Sequence, residues 1–279
     1  MLLAAVAQLL LVTTASGAIA TERLALHQFE DGPILSSTHV FLPGEPVFFS
    51  CRLKGFQIAT SREEQKFVRL SWRVRVTDPA GTPIAPEAGG RIDEQFLEQD
   101  KDWLPKFLTN FGVPPYAPGG AYKIGVVVRD EVSNSEFQTQ FAFTVRGHSV
   151  EPSEQLVVRN LHFLKSETDA PGLDPVVYRP AETLWARFDI TGFQYAEKNR
   201  YHVEYGLAVM RESGEQVFSQ TAAASDTKQS FYPQRYVPGA LSLNLDPDVP
   251  PGRYTLAVMI EDKVSGRKAE IRGSFQIEK

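Results

Sequence analysis

The chain has a single cysteine, Cys51. A lone thiol makes neither an intrachain disulfide nor a zinc site of the CxxC kind, so stability must come from packing. An exported chain without disulfides suits a bacterial envelope better than the disulfide-rich secreted modules of eukaryotes. Basic residues are also in short supply: 29 Lys and Arg stand against 34 Asp and Glu, for a formal net charge of −5. A nucleic-acid binder carries a basic excess, so nucleic acid is not expected as a partner. After the first residues no apolar run is long enough to cross a bilayer, which takes about 20 residues. The mature chain is therefore expected to have no transmembrane segment.

Signatures of catalysis are missing too. His27, His39, His148, His162 and His202 form no HxH or HExxH spacing, so no metal site is expected from them. There is no GxSxG nucleophile elbow, no GxGxxG and no GxxxxGK[ST]. Glycosidases need two carboxylates in contrasting environments. Here Glu63, Glu64, Glu94, Glu98, Asp100 and Asp102 lie in polar, surface-like runs. The pairs Asp246/Asp248, Asp130/Glu131 and Glu261/Asp262 offer oxygen ligands for calcium. Aspartates at turns ordinarily cap backbone amides instead. The expectation is no catalytic residue, no metal and no cofactor.

What is present is a chain of 279 residues, 42% hydrophobic and 23% charged. That is enough for one large core or two ordinary ones. Leu2–Val12 is almost continuously apolar, and Ala18-Ile19-Ala20 fits the small-x-small pattern before a cleavage site. Residues 1–20 are therefore read as an export signal. No Lys or Arg precedes the run, which departs from the usual signal and leaves the true start codon open.

The chain then repeats itself. Phe41–Ile58 aligns without gaps on Tyr178–Tyr195, matching Pro43 with Pro180, Glu45 with Glu182, and Gly55-Phe56-Gln57 with Gly192-Phe193-Gln194. A second gapless block matches Pro118, Gly120, Tyr122, Asp130, Val132, Ser133 and Phe143 with Pro250, Gly252, Tyr254, Asp262, Val264, Ser265 and Phe275. Two blocks in the same order imply two copies of one fold. The expected organisation is a first copy over 21–146, a linker over 147–154 rich in polar and turn-forming residues, and a second copy over 155–279. The stretch 87–115 reads as an aromatic insertion in the first copy.

Within the copies, apolar residues alternate with period two, the mark of strands with one buried face. Val47, Phe49, Cys51 and Leu53 point inward, as do Leu184, Ala186, Phe188 and Ile190. Cys51 is thereby placed as a core thiol. Val68, Leu70, Trp72, Val74 and Val76 follow, with Val203, Tyr205, Leu207 and Val209 as counterparts. Many short strands and no helical pattern give an all-β protein of two antiparallel sandwiches. Trp72 on an early strand, Gly120-x-Tyr122, and the run 241–254 (LSLNLDPDVPPGRY) approaching a tyrosine corner make each copy resemble the bacterial immunoglobulin-like or fibronectin-III-like domains of exported proteins. The resemblance lacks the paired core cysteines of antibody domains. It implies a fold and an extracytoplasmic setting, periplasmic or extracellular, and no particular activity.

Three surfaces are candidates for binding. Arg69, Arg73, Arg75, Lys123 and Arg129 point outward from two strands of the first copy and suit an anionic partner. The equivalent positions of the second copy are Ala208, Met210, Ala257 and Met259, an apolar docking face. Trp103, Phe107 and Phe111 recur four apart in the insertion, where aromatics stack on sugar rings. The first reading is a non-catalytic binding, adhesion or scaffold module of the bacterial envelope, with another envelope protein or an extracellular glycan as partner. A carbohydrate-binding protein using the Trp103 segment and a hydrolase of unknown type are the alternatives.

Overall fold

A computed structural model describes residues 18–95, 102–169 and 172–279. The apolar run Leu2–Val12 and the residues Phe96, Leu97, Glu98 and Asp100 lie outside them. Ile19 is buried in the first core, so cleavage after Ala20 would remove a core side chain.

The first half consists of β1 (Ala20–His27), β2 (Val40–Phe41), β3 (Pro46–Lys54), β4 (Ala59–Thr60), β5 (Lys66–Thr77), β6 (Ala88–Gln95), β7 (Lys106–Gly112), β8 (Gly120–Asp130) and β9 (Glu136–Val145). One sheet has the order β1-β3-β7, and the facing sheet the order β2-β9-β8-β5, with β4 and β6 both paired to β5. The second half consists of β10 (Val157–Leu164), β11 (Val177–Tyr178), β12 (Thr183–Thr191), β13 (Tyr201–Arg211), β14 (Gln216–Lys228), β15 (Val237–Asn244), β16 (Gly252–Asp262) and β17 (Lys268–Ile277). Its sheets run β10-β12-β15 and β11-β17-β16-β13-β14. Apart from β4, the two halves match strand for strand, including the parallel pairing of β2 with β9 and of β11 with β17. Among the described residues there is no α-helix.

The alternation sets both cores. Val47, Phe49, Cys51 and Leu53 are fully buried in β3, as Val68, Leu70, Tyr122, Ile124 and Val128 are in the facing sheet. Leu184, Ala186, Phe188 and Ile190 fill the same layer of the second half. Burial pushes the Cys51 thiol up to about 12, so it stays protonated and acts as packing, not as a nucleophile. Trp72 is only half-buried; its indole stacks on Phe107 at 4.3 Å, with an interplanar angle of 4°. Gly90 on β6 leaves room for that ring, since a Cβ there would stand 2.8 Å from Trp72 Cζ2.

The repeated motifs have separate physical causes. The Tyr122 hydroxyl donates to the Pro118 carbonyl at 2.9 Å, and the Tyr254 hydroxyl to the Pro250 carbonyl at 2.8 Å. Each half therefore has a tyrosine corner. Gly55 and Gly192 end their strands at φ +71° and +75°. The turn aims the next-but-one amide at a buried aspartate: Gln57 N donates to Asp130 Oδ2 at 2.8 Å, and Gln194 N to Asp262 Oδ2 at 2.9 Å. The Pro-x-Glu turn is closed by the glutamate, which accepts from Leu42 N in one half and Arg179 N in the other, both at 2.8 Å. Lys165, together with that amide, holds the Glu182 carboxyl below the usual carboxylate range.

The third position of that turn needs a positive φ, and the halves fill it differently: Gly44 at +89° and Ala181 at +67°. A side chain at Gly44 would meet nothing within 4 Å, so only backbone strain separates the two. Ala181→Gly is expected to raise the stability by up to about 1 kcal/mol, and Gly44→Ala to lower it by about 1 kcal/mol. Urea midpoints of the two variants check both signs.

The stretch 87–115 is not an insertion. It contains β6 and β7, whose counterparts β14 and β15 sit in the same places in the second half. Phe107 and Phe111 face the core from β7. A spacing of four is even, so it fits one face of a strand as well as one face of a helix.

Candidate functional site

The pairing of β5 with β8 and of β8 with β9 places outward side chains in rows across the sheet. Ser71, Arg129 and Glu136 form one row; Arg73, Val127 and Gln138 the next; Arg75, Gly125 and Gln140 the third; Thr77, Lys123 and Ala142 the last. Arg69 lies one step beyond, on β5. The five basic residues singled out in the sequence thus share one face and are all exposed.

Strands lie about 4.8 Å apart, so the arginine column on β5 and the glutamine column on β9 are about 10 Å apart. Between them the floor drops to Gly125 and Val127, making a shallow open groove with Glu87 at its border. From Lys123 to Arg129 the face extends about 20 Å along the strand.

Some of these cations are already engaged. Arg69 Nε meets Asp93 Oδ2 at 3.1 Å, and Arg129 donates to Asn134 Oδ1 at 3.0 Å. Arg91, on β6, meets Glu131 at 3.7 Å. Among the described residues no carboxylate lies within ion-pair distance of Arg73, Arg75 or Lys123. Three cations without an ion pair among the described residues, on a chain of net charge −5, favour anions at this face.

The apolar face expected in the second half is not an exposed patch. Ala208 and Ala257 pair directly across β13 and β16, yet only 4% and 3% of each is exposed. Their methyl groups are too short to rise above the side chains around them. Met210 and Met259 are half-buried and stand opposite Thr255 and Gly206, at opposite ends of the face. The aromatic set also separates. Phe111 packs on Phe143 inside the core, while Phe107 packs on Trp72 and Phe49 and borders, with Trp72 and Trp103, an open pocket that Arg52, Arg91 and Lys106 also line. Trp103 is half-buried, and its ring and that of Phe56 stand 6.3 Å apart at an interplanar angle of 75°.

Of the candidate calcium carboxylates, Asp130, Asp246 and Asp262 are turned to the backbone, Glu131 meets Arg91 and Glu261 meets Lys263. Asp130 Oδ1 accepts from Val132 N at 2.9 Å and Ser133 N at 3.3 Å. Asp262 accepts from Val264 N at 3.0 Å and from the Ser265 hydroxyl at 2.5 Å. Asp246 accepts from Asp248 N at 2.8 Å. No group of three or more potential metal ligands occurs among the described residues, and no helix among them is long and apolar enough to cross a membrane.

Two features had gone unseen in the sequence. Gln138 and Gln140 line the groove; their alternation with Phe137 and Phe141 was the available signal. The second is a polar clamp between the halves. Buried Asp78 accepts from the Tyr232 hydroxyl at 2.9 Å and from Arg235 at 3.1 Å, while its other oxygen caps Ala80 N and Thr82 N. Arg235 also reaches the Thr82 hydroxyl at 2.5 Å. Tyr232 belongs to the core of the first half although it follows β14 of the second. Between β9 and β10, His148 Nε2 meets Asp189 at 2.8 Å, and its ring and that of Tyr236 stand at an interplanar angle of 78°.

No family model and no curated protein matches the sequence. Among solved structures the chain is similar to the C-terminal domain of the Streptococcus agalactiae AgI/II polypeptide BspA. The identity is 9%, over 92% of this chain and 99% of that one, with a TM-score of 0.29. A structure named BspA_C_mut gives 9% identity over 92% and 98%, with a TM-score of 0.29. A superposition that loose carries no argument about function.

Proposed function

We propose that this protein is an exported, non-catalytic binding module that holds a polyanion on the outer face of β5, β8 and β9. The observation that supports the reading is the set of three cations, Arg73, Arg75 and Lys123, exposed on one face with no carboxylate partner among the described residues, on a chain of net negative charge. The apolar run before Ala20 supports export. With Phe111 in the core and Phe107 only 4% exposed, the aromatic route to a glycan rests on Trp103 and Trp72.

A surface ion pair contributes about 0.2–1 kcal/mol. Reversing two cations removes two attractions and adds two repulsions. Arg73→Glu combined with Arg75→Glu is therefore expected to weaken binding to dextran sulfate by about tenfold or more. The unaltered protein should lose affinity steadily as salt rises, because the contacts are exposed and screened. Salt-gradient elution from a sulfated resin checks both. Elution of the reversed variant at the same salt concentration as the parent would remove this face from consideration.

A further inference from the structure

We infer that the polyanion in this groove is an acidic polysaccharide and not an acidic peptide; the inference rests on the polyanion reading above. The floor strand β8 is paired with β5 on one side and β9 on the other over residues 123–129. Its backbone donors and acceptors are therefore committed within the sheet. An extended peptide gains affinity chiefly by main-chain hydrogen bonds to a free sheet edge, and this face offers none. A ligand here must present its polar groups to side chains.

Those side chains are of three kinds. Arg73 and Arg75 only donate; Gln138 and Gln140 donate and accept; Glu87 only accepts. Gln138, which lines the groove, gives one Nε2 proton to Glu136 Oε1 at 2.9 Å, which leaves its second amide proton and its carbonyl oxygen for other partners. The acidic side chains of a peptide carry carboxylates that accept and do not donate, so they match the arginines but not the glutamine carbonyls or Glu87; the donors of such a peptide are confined to its backbone amides, set back from the carboxylates. A sugar acid carries both an anionic group and hydroxyls that donate and accept. The column of arginines about 10 Å from the column of glutamines sorts these two functions to opposite sides of one chain. Gly125 adds to the fit: a Cβ there would meet only the Arg75 carbonyl oxygen, at 3.5 Å. The floor is therefore open to a ring lying flat across Gly125 and Val127.

Titration calorimetry of the full chain tests this with four probes: a polyuronate, dextran sulfate, uncharged dextran and polyglutamate. The two acidic glycans separate a carboxylated from a sulfated source. At least one is expected to bind about tenfold or more tighter than polyglutamate at equal charge, and uncharged dextran is expected not to bind. Gln138→Leu with Gln140→Leu is expected to cut acidic-glycan affinity about tenfold and to leave polyglutamate unchanged. Both glutamines are exposed, so the variant's melting curve should match the parent's. Equal binding of polyglutamate, or no loss in the glutamine variant, overturns the saccharide inference while the polyanion reading stands. Binding of none of the anionic probes overturns both.

Discussion

Tyr232→Ala should uncouple the two sandwiches and cost about 3–5 kcal/mol, the range for truncating a buried aromatic side chain. Tyr232 is 4% exposed and sits in the core of the first half, while the strands around it in sequence belong to the second. Its hydroxyl is held by Asp78, itself 2% exposed. Burial pushes that phenol up to about 12, so it remains a donor throughout the neutral range. Tyr232→Phe separates the two contributions. It keeps the packing and removes one hydrogen bond to a charged acceptor, for an expected loss of about 1.5–3 kcal/mol. Urea unfolding followed by tryptophan fluorescence reads both variants. Small-angle scattering of Tyr232→Ala should show a broader distribution of shapes than the parent.

A second large effect is expected at the buried aspartates. Asp262 is fully buried and accepts from two backbone amides and one hydroxyl. Asp262→Ala leaves those donors unpaired away from water, at about 1–3 kcal/mol for each buried group. The expected loss is about 3 kcal/mol or more. Asp130→Ala should behave alike, because its carboxylate makes the same bonds to Gln57 and Val132. Asp246→Ala is the contrast: its carboxylate caps Asp248 on the surface, and the loss should stay within about 1 kcal/mol. Thermal melts of the three variants check the ranking. A small effect at both Asp130 and Asp262 would mean that the repeated Gly-Phe-Gln and Asp-x-Val-Ser motifs do not serve these turns.

The core was legible because the alternation is strict where a strand has neighbours on both sides. Val47, Phe49, Cys51 and Leu53, and Tyr122, Ile124, Val126 and Val128, alternate with outward residues, although outward Phe48 is half-buried and outward Ser50 is buried against β1. The edge strands were not legible for the converse reason. β6 reads AGGRIDEQ, and β14 is exposed over most of its length, so neither shows a buried face. The segment between β5 and β8 therefore looked like extra chain with a helical spacing of aromatics.

The basic face was readable from outward positions alone, since exposed charge needs only the correct register. The apolar face was misjudged because position outward from a sheet does not give exposure when the residue is alanine. Nothing local marked the clamp. Asp78 and Tyr232 are 154 residues apart, and a single aspartate after a strand looks like any turn residue. Only the fold brings it to its partners.

The most direct measurement is a ligand footprint on the whole protein: amide and arginine side-chain NMR shifts recorded during titration with dextran sulfate at low salt. The shifts are expected to gather on Arg73, Arg75, Lys123, Val127, Gln138 and Gln140, to fade as salt is added, and to spare β13 and β16. Shifts confined to the second half, or none at ligand concentrations that saturate binding, would contradict the assignment of the site to the outer face of the first.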